Sequence, residues 1–522
     1  MIKKIASARA RTARKSTRGE QRLLAPILDA VRKRAKGSAD DAVAFADAFY
    51  QRMSEDEMPA HSADAWAALA CDMLEFARKR APGAPSVRLF NPSLAKHGWD
   101  SPHTMLQIVN DDMPFLVDSV TMALAERGIG VHVLGHPIVT VKRDRAGKLT
   151  AVGEGAAESM MSLEIDRQSA ADAAEVETAI RAVLADVRAI VGDWPSMRDK
   201  MLEITEDLAH RRMPIDEAGR AEAKEFLRWA AADHFTFLGY REYKVKKQGG
   251  DEVLAAIDGS GLGLLRAKAA AKPRKLTTLA AHYMPQSGAV DALILTKTNA
   301  RSSVHRPGYM DYIGVLSFDA DGRAVGEQRF IGLYTSGAYT RRPWEIPLVR
   351  ERHDRVMTGS GFAANSHSGK ALRHILEKLP RDELFQSSES ELLDLAKGVL
   401  GLQERVRSRL FLRHDRYGRF YSVLAYVPRE RYNTEMRLRI EAMLKDALHA
   451  DRIDSTVQMG DSPLAQVHML ARPRKGETVD ADANELNARL AAIVRNWQDD
   501  LREQLVARRG EEQGLALASG IG

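Results

Sequence analysis

Read for the spacing of its apolar side chains, the chain alternates between helical and strand-like stretches. Residues from about 20 to 80 are Ala-rich and place Leu24, Ile27, Leu28 and Val31 at helical spacing. Pro82, Gly83 and Pro85 close that region. A strand is predicted at Met105 to Val109, then the polar step Asn110-Asp111-Asp112-Met113-Pro114, then a helix with Leu116, Val120, Ala123 and Leu124 on one face and Gly128 at its end. Strands at Ile129 to Leu134 and Ile138 to Val141 follow, with turn chemistry at Asp144-Arg145-Ala146-Gly147. Met161, Leu163 and Ile165 alternate with Ser162, Glu164 and Asp166, the period-two pattern of a half-buried strand. Val176, Ile180, Val183, Val187 and Val191 then form a helical stripe. This order predicts a small α+β sandwich with helices on one face.

The next region reads differently. Short strand-like runs at Phe235 to Tyr243, Ala292 to Lys297, Tyr312 to Phe318 and Arg329 to Leu333 predict a separate mixed domain. Its segment Arg266 to Lys275 reads as an exposed loop. The Gly/Ser/Asn-rich stretch Thr358 to Gly369 separates that domain from a helical stretch over 370–405, in which Ser388 and Glu391 have capping-box spacing. A second α+β module follows, with strands at Tyr421 to Val427, Ile453 to Met459 and Ala465 to Leu470 around a helix marked by Met436, Ile440, Met443 and Ala447. The two modules read as related in type, without a strict sequence repeat. The resulting division is a basic tail over 1–19, helices over 20–85, a first module over 86–200 and a mixed α/β domain over 201–357. A linker and helical connector over 358–405, a second module over 406–475 and a helical C-terminal part over 476–522 complete it.

Composition narrows the function. A chain of 522 residues, 44% hydrophobic and 28% charged, has material for several cores. The net charge of +6 is concentrated at the start: Lys3, Lys4, Arg9, Arg11, Arg14, Lys15 and Arg18 precede any acid, and the rest is balanced, which argues against nucleic acid as a partner. One cysteine, Cys71, excludes an intrachain disulfide and a cysteine-rich metal site and fits a cytoplasmic setting. No apolar run approaches the roughly 18 residues of a membrane span.

Few motifs carry chemistry. Gly359-Ser360-Gly361-Phe362-Ala363-Ala364 fits the dinucleotide spacing formally, but charged Arg350 to Arg355, not a strand, precedes it, so the segment reads as linker. Gly369-Lys370 lacks the other residues of a phosphate loop, with Ala364 and Ala371 in their places. His132 and His136 read as strand or loop histidines rather than metal ligands. Asp111 or Asp112 is expected to cap the helix that follows, with Pro114 in its first turn. That helix N-terminus presents free N–H groups to which an amino-acid carboxylate can bind. Trp229, Phe235, Phe237 and Tyr240 are expected in a core, and Arg301, His305 and Arg306 on a solvated basic surface.

The string Asn110 to Val120, followed by Arg127-Gly128-Ile129, resembles the signature of ACT-type regulatory domains and, more specifically, the large bacterial NAD-specific glutamate dehydrogenases. Asp233 to Arg241, His305-Arg306-Pro307 with Asp311 to Gly314, and Pro380 to Gln386 agree with the same family, over about residues 20 to 510. The resemblance implies an α+β multidomain chain: two ACT-like modules of ferredoxin-like βαββαβ type, a PAS-like mixed domain and helical connectors. In ACT domains the strand-loop-helix junction and a neighbouring module form effector sites, so Asp111, Asp112, Met113 and Phe115 become the candidate contacts for an amino-acid effector; packing between subunits is the alternative use. The family's NAD-binding and catalytic region is expected beyond this segment, and the tail Leu515 to Gly522 departs from the family pattern, as after a frameshift, early stop or gene split. The expected role is therefore regulatory and oligomerising. It serves an enzyme converting L-glutamate, NAD and water to 2-oxoglutarate, ammonium and NADH, with no catalytic residue, cofactor or metal in this segment. Its partners are other copies or a separately encoded catalytic part. A free-standing amino-acid sensor is the competing reading.

Overall fold

The computed structural model describes residues 18–51, 61–211, 213–266, 274–275, 293–403, 407–460, 462–474, 477, 479–495 and 497–521. The basic tail lies outside these residues up to position 17, as do 267–273 of the expected loop; Arg274–Lys275, its last two residues, form a strand instead.

The first module contains β1 (Ser86–Phe90), β2 (Thr104–Asp111), the helix Leu116–Ala125, β3 (Val131–Gly135), β4 (Ile138–Arg143), β5 (Leu149–Val152), β6 (Ala156–Ile165) and the long helix Ala170–Asp207. Its sheet runs β1-β2-β6-β4-β5, with β3 also on β6, and all pairings are antiparallel. The later module repeats the plan: β14 (Arg409–His414), β15 (Tyr421–Pro428), the helix Thr434–Ala447, β16 (Ala450–Gln458), β17 (Leu464–Pro473) and the helix Ala483–Val494, with sheet order β14-β15-β17-β16. The second module is therefore connected ββαββα and the first ββαββββα, with β4 and β5 added beside β6; both open on two strands, which corrects the expected βαββαβ order. Neither opening strand stands out in the apolar spacing, because β1 and β14 are short edge strands with mostly half-exposed side chains.

Between the modules lies an antiparallel sheet of β7 (Phe235–Gln248), β8 (Asp251–Ala256), β9 (Leu262–Gly263), β10 (Arg274–Lys275), β11 (Leu293–Arg301), β12 (Tyr309–Phe318) and β13 (Ala324–Tyr334). Its order is β10-β8-β7-β13-β12-β11, with β9 on β7. The helices Val349–Gly359, His367–Lys378, Arg381–Gln386 and Glu389–Gln403 follow. The stretch read as a Gly/Ser-rich separator is thus two helix ends and a short turn, with Ser366 accepting from the Gly369 N–H at 3.0 Å. The capping box forms as its spacing predicts: the Ser388 N–H donates to Glu391 at 2.7 Å, and the Glu391 N–H to Ser388 Oγ at 3.3 Å. Beyond the second module, the residues from Leu515 continue in the helix Glu511–Ile521.

Side-chain burial stacks these units in layers. The helices Arg18–Arg34, Ala39–Tyr50 and Ala63–Ala77 pack Ile27, Phe45 and Trp66 against Met105, Val109, Val139 and Met160 on one face of the first sheet. The other face, with Leu106, Ile108 and Leu163, meets the helices Leu116–Ala125 and Ala170–Asp207, and these reach Leu238, Tyr312, Ile331 and Leu333 on the central sheet. The opposite central face, with Phe235, Phe237, Tyr240 and Phe330, meets the connector helices and then Leu424, Tyr426 and Leu464 of the second module. Trp229 packs partly buried against the same cluster, so the aromatic set is core, as its composition predicts.

The 38-residue helix Ala170–Asp207, about 57 Å long at ~1.5 Å per residue, belongs to two cores at once. Val176, Ile180, Leu184, Val187 and Ile190 serve the first module, and Met197, Met201 and Ile204 the central domain. The expected boundary at residue 200 falls inside it. Burial on both faces also explains Ser162 and Glu164, which the alternation places on a solvent side and which the N-terminal helical layer covers.

Candidate functional site at a strand-loop-helix junction

Asp111 ends β2 directly opposite Glu158 on β6. Two carboxylates in that position repel, and arginines from three other segments offset them. Arg80 donates to Asp111 at 2.5 Å and to Glu158 at 2.8 Å. Arg143 holds both Glu158 oxygens, at 2.7 and 2.8 Å. Arg188, from the long helix, reaches the other Asp111 oxygen and Asn110 Oδ1, each at 2.7 Å. Burial alone would raise the Asp111 carboxyl, but Arg188 and Arg80 hold it below its usual range. Three guanidinium groups face two carboxylates, so the cluster carries a surplus positive charge.

Gly147 makes this arrangement possible. The segment around Arg80 pairs with the β4–β5 turn, where Gly147 lies at φ 80° and a Cβ would stand 1.9 Å from the Arg80 carbonyl.

Neither Asp111 nor Asp112 caps the helix, contrary to expectation. The N-cap position is Phe115, at φ 73° and with no side-chain hydrogen bond to the first turn. Asp111 is engaged by arginines, which outcompete a capping role, while Asp112 is exposed and its N–H binds the Ala157 carbonyl. Met113 and Phe115 pack partly buried against the core between the first module and the central sheet. A left-handed phenylalanine costs about 1–3 kcal/mol locally; its carbonyl accepts from the Ser119 hydroxyl at 2.5 Å and from the Ser119 N–H at 3.0 Å.

The opposing wall is the loop between β11 and β12. His305 is also left-handed, at φ 76°. Its N–H donates to Ser119 Oγ at 3.1 Å, and its ring centre lies 4.8 Å from that of Phe115. Burial pushes its imidazole below the ordinary value, Arg306 adds to that shift and Asp118 opposes it. Arg301 grips both oxygens of Asp454 on β16, at 2.8 and 2.5 Å, and Arg306 donates to the Tyr334 carbonyl at 2.9 Å. The expected solvated surface is thus a junction of three domains.

The remaining distinctive strings converge nearby. Buried Lys297 lies 2.6 Å from Asp311 and 3.1 Å from Asp382. Burial alone would lower its ammonium, but the two carboxylates hold it above its usual range. Glu383, one residue on, is bound by Arg413 at 2.9 Å through both oxygens and by the Ser422 hydroxyl at 2.5 Å. Burial would raise that carboxyl, yet Arg413 and His468 hold it well below its ordinary value. Thr335 bonds the carbonyls of His234 and of left-handed Asp233.

The other motifs take structural places. Gly359-Ser360-Gly361 follows a helix rather than a strand, and Gly369-Lys370 lies in a helical first turn. His132 pairs with Asp166 at 2.8 Å and His136 with Ser159 at 2.8 Å. Among the described residues no group of three His, Cys, Asp or Glu is placed to hold a metal, and no helix is long and apolar enough to cross a membrane. Sequence reasoning misses Arg80, Glu158, Arg188, Ser119, Lys297 and Arg413, whose roles rest on partners far along the chain and carry no local signal.

Comparison with known proteins matches these units one by one. Residues 45–180 match the model of the glutamate dehydrogenase ACT1 domain, 346–405 its helical motif 1 and 409–498 its ACT2 domain. NAD-specific glutamate dehydrogenase of Halomonas elongata is 36% identical over 93% of this chain and 31% of its own length. That of Pseudomonas aeruginosa is 37% identical over 82% and 27%, and that of Mycobacterium tuberculosis 29% over 76% and 25%. The chain thus spans about a third or less of the curated relatives it matches. In order along the chain, its units are thus similar to the ACT1 domain, helical motif 1 and ACT2 domain of glutamate dehydrogenase, and the relatives it matches are NAD-specific glutamate dehydrogenases.

Proposed function

We propose that these residues form a regulatory and assembly unit of an NAD-dependent glutamate dehydrogenase, binding an amino-acid effector at the ACT1 junction. The oxidation itself is assigned to parts of such an enzyme outside this segment, and the central antiparallel domain is read as PAS-like. The observation that carries the proposal is the helix N-terminus at Phe115 without a side-chain cap, which follows by four residues the Asp111 end of β2, where Arg80, Arg143 and Arg188 face Asp111 and Glu158. In this reading the effector carboxylate meets Arg188 and the helix N–H groups, its ammonium meets Asp111 and Asp112, and its side chain lies against Met113 and Phe115. The unit associates with further copies or with a catalytic part.

Titration calorimetry with a panel of amino acids tests this. Saturable heat is expected for at least one, weakened about tenfold by Arg188→Ala, which corresponds to ~1.4 kcal/mol. Flat titrations across the panel would overturn the sensing role. Mixing the chain with glutamate and NAD is expected to leave NADH absorbance unchanged, and turnover would refute the division of labour.

A further inference from the structure

The loop between β11 and β12 touches three domains within nine residues, and its own construction is stiff. The Ser302 N–H closes it onto the Gly308 carbonyl at 2.9 Å. The Ser302 hydroxyl donates to the Val304 carbonyl at 2.6 Å and accepts from the Val304 N–H at 3.1 Å. Both residues are buried. A displacement at His305 is therefore carried to the base of the loop rather than absorbed within it.

One end of this body rests on ACT1. The Ser119 hydroxyl gives its only proton to the Phe115 carbonyl and takes the His305 N–H, so two left-handed turns share a single oxygen. Ser303 adds a bond to Asp186 of the long helix at 2.7 Å, and Arg306 anchors the loop to the Tyr334 carbonyl. The other end holds ACT2. Arg301 binds Asp454, and Tyr309 lies 3.5 Å beneath the guanidinium of Arg472, which donates to the Thr298 carbonyl and to Asn299 on the exposed edge of β11.

We infer that residues 301–309 are a mechanical relay between the ACT1 helix N-terminus and the ACT2 sheet, with the Ser119 hydroxyl as its input and the Arg301–Asp454 pair as its output. When Phe115 leaves its left-handed turn, its carbonyl and ring withdraw from Ser119 and His305 together. The His305 turn then loses its ring contact, the Ser119 hydroxyl that accepts its N–H is released to turn away, and Arg301 shifts against β16. The relay rests on the effector reading only for the stimulus that drives it. Its mechanics are a coupling between two sites, which acts equally in both directions.

Native-state hydrogen exchange on the ligand-free chain, read by mass spectrometry, tests the relay without any effector, so its outcome and that of the titrations are separable. Ser119→Ala is expected to speed exchange about fivefold or more in 112–120, in 301–309 and in 450–458, with 421–428 unchanged. Arg301→Ala is expected to speed 450–458 by itself and to abolish the additional effect of Ser119→Ala there. Asp454→Asn, on the far side, is expected to speed exchange in 112–120, which keeps the test decisive if Ser119→Ala does not fold. Exchange in 450–458 that ignores Ser119→Ala, or exchange in 112–120 that ignores Asp454→Asn, would overturn the relay.

Discussion

ACT1 and ACT2 share a ββα start and the order of four strands, β1-β2-β6-β3 matching β14-β15-β17-β16, but finish the start of their first helix in opposite ways. In ACT2, Asn433 has extended backbone at φ −146°, and its side chain accepts the Met436 N–H at 2.8 Å. That terminus is satisfied by a residue next to it in sequence. In ACT1 the same position is a left-handed phenylalanine with no such bond, kept in place by Ser119 and by His305 from another domain. One helix start is closed locally and the other depends on a neighbour. A terminus of the second kind responds to what happens elsewhere, which is the property a regulatory contact needs.

The modules also differ in the attachment of their sheets. The outer face of ACT1 lies under an apolar helical layer, whereas ACT2 meets helical motif 1 through buried Glu383 and its partners Arg413, Ser422 and His468. Glu383→Ala is therefore expected to have the largest effect, about 3–5 kcal/mol in urea unfolding, because it strands a buried arginine. Its pH dependence has a definite sign. The folded carboxyl is depressed, so its contribution is complete above the unfolded value of ~4.3 and is lost as pH falls through the lower folded value. Glu383→Gln should flatten that acid-side loss; an unchanged acid limb would disprove it.

Next in size is Arg80→Met, which leaves Asp111 and Glu158 facing each other across β2 and β6. A loss of about 3 kcal/mol is expected by thermal or chemical unfolding, and a loss below about 1 kcal/mol would show that Arg143 and Arg188 suffice. Asn433→Ala removes a true cap and should cost about 1 kcal/mol. The smallest effect belongs to Asp112→Ala, under about 0.5 kcal/mol, since Asp112 is exposed and caps nothing. If Asp112→Ala matches Asn433→Ala in an unfolding titration, the contrast between the two helix starts collapses.

Much of the fold is legible where a segment's fate depends on near neighbours. The stripe from Val176 to Val187, the alternation of Tyr421, Val423, Ala425 and Val427, and the Ser388–Glu391 capping box all act within a few residues, and all appear as the spacing predicts. The candidate site is legible only as a place. Asp111, Asp112, Met113 and Phe115 do meet at a strand-loop-helix junction, but the aspartates' expected capping task goes unfilled because Arg80 and Arg188 claim Asp111 from other segments.

Sequence alone thus determined most of the helical and strand stretches and that several α+β units follow one another. These depend on periodicity and residue type, which are local properties. Tertiary structure alone decided that each module starts with an edge strand, that one helix serves two cores, and that Arg301 and His305 tie three domains together. Those outcomes depend on pairing between residues as much as 186 positions apart, as between Ser119 and His305, and no local pattern encodes the partner.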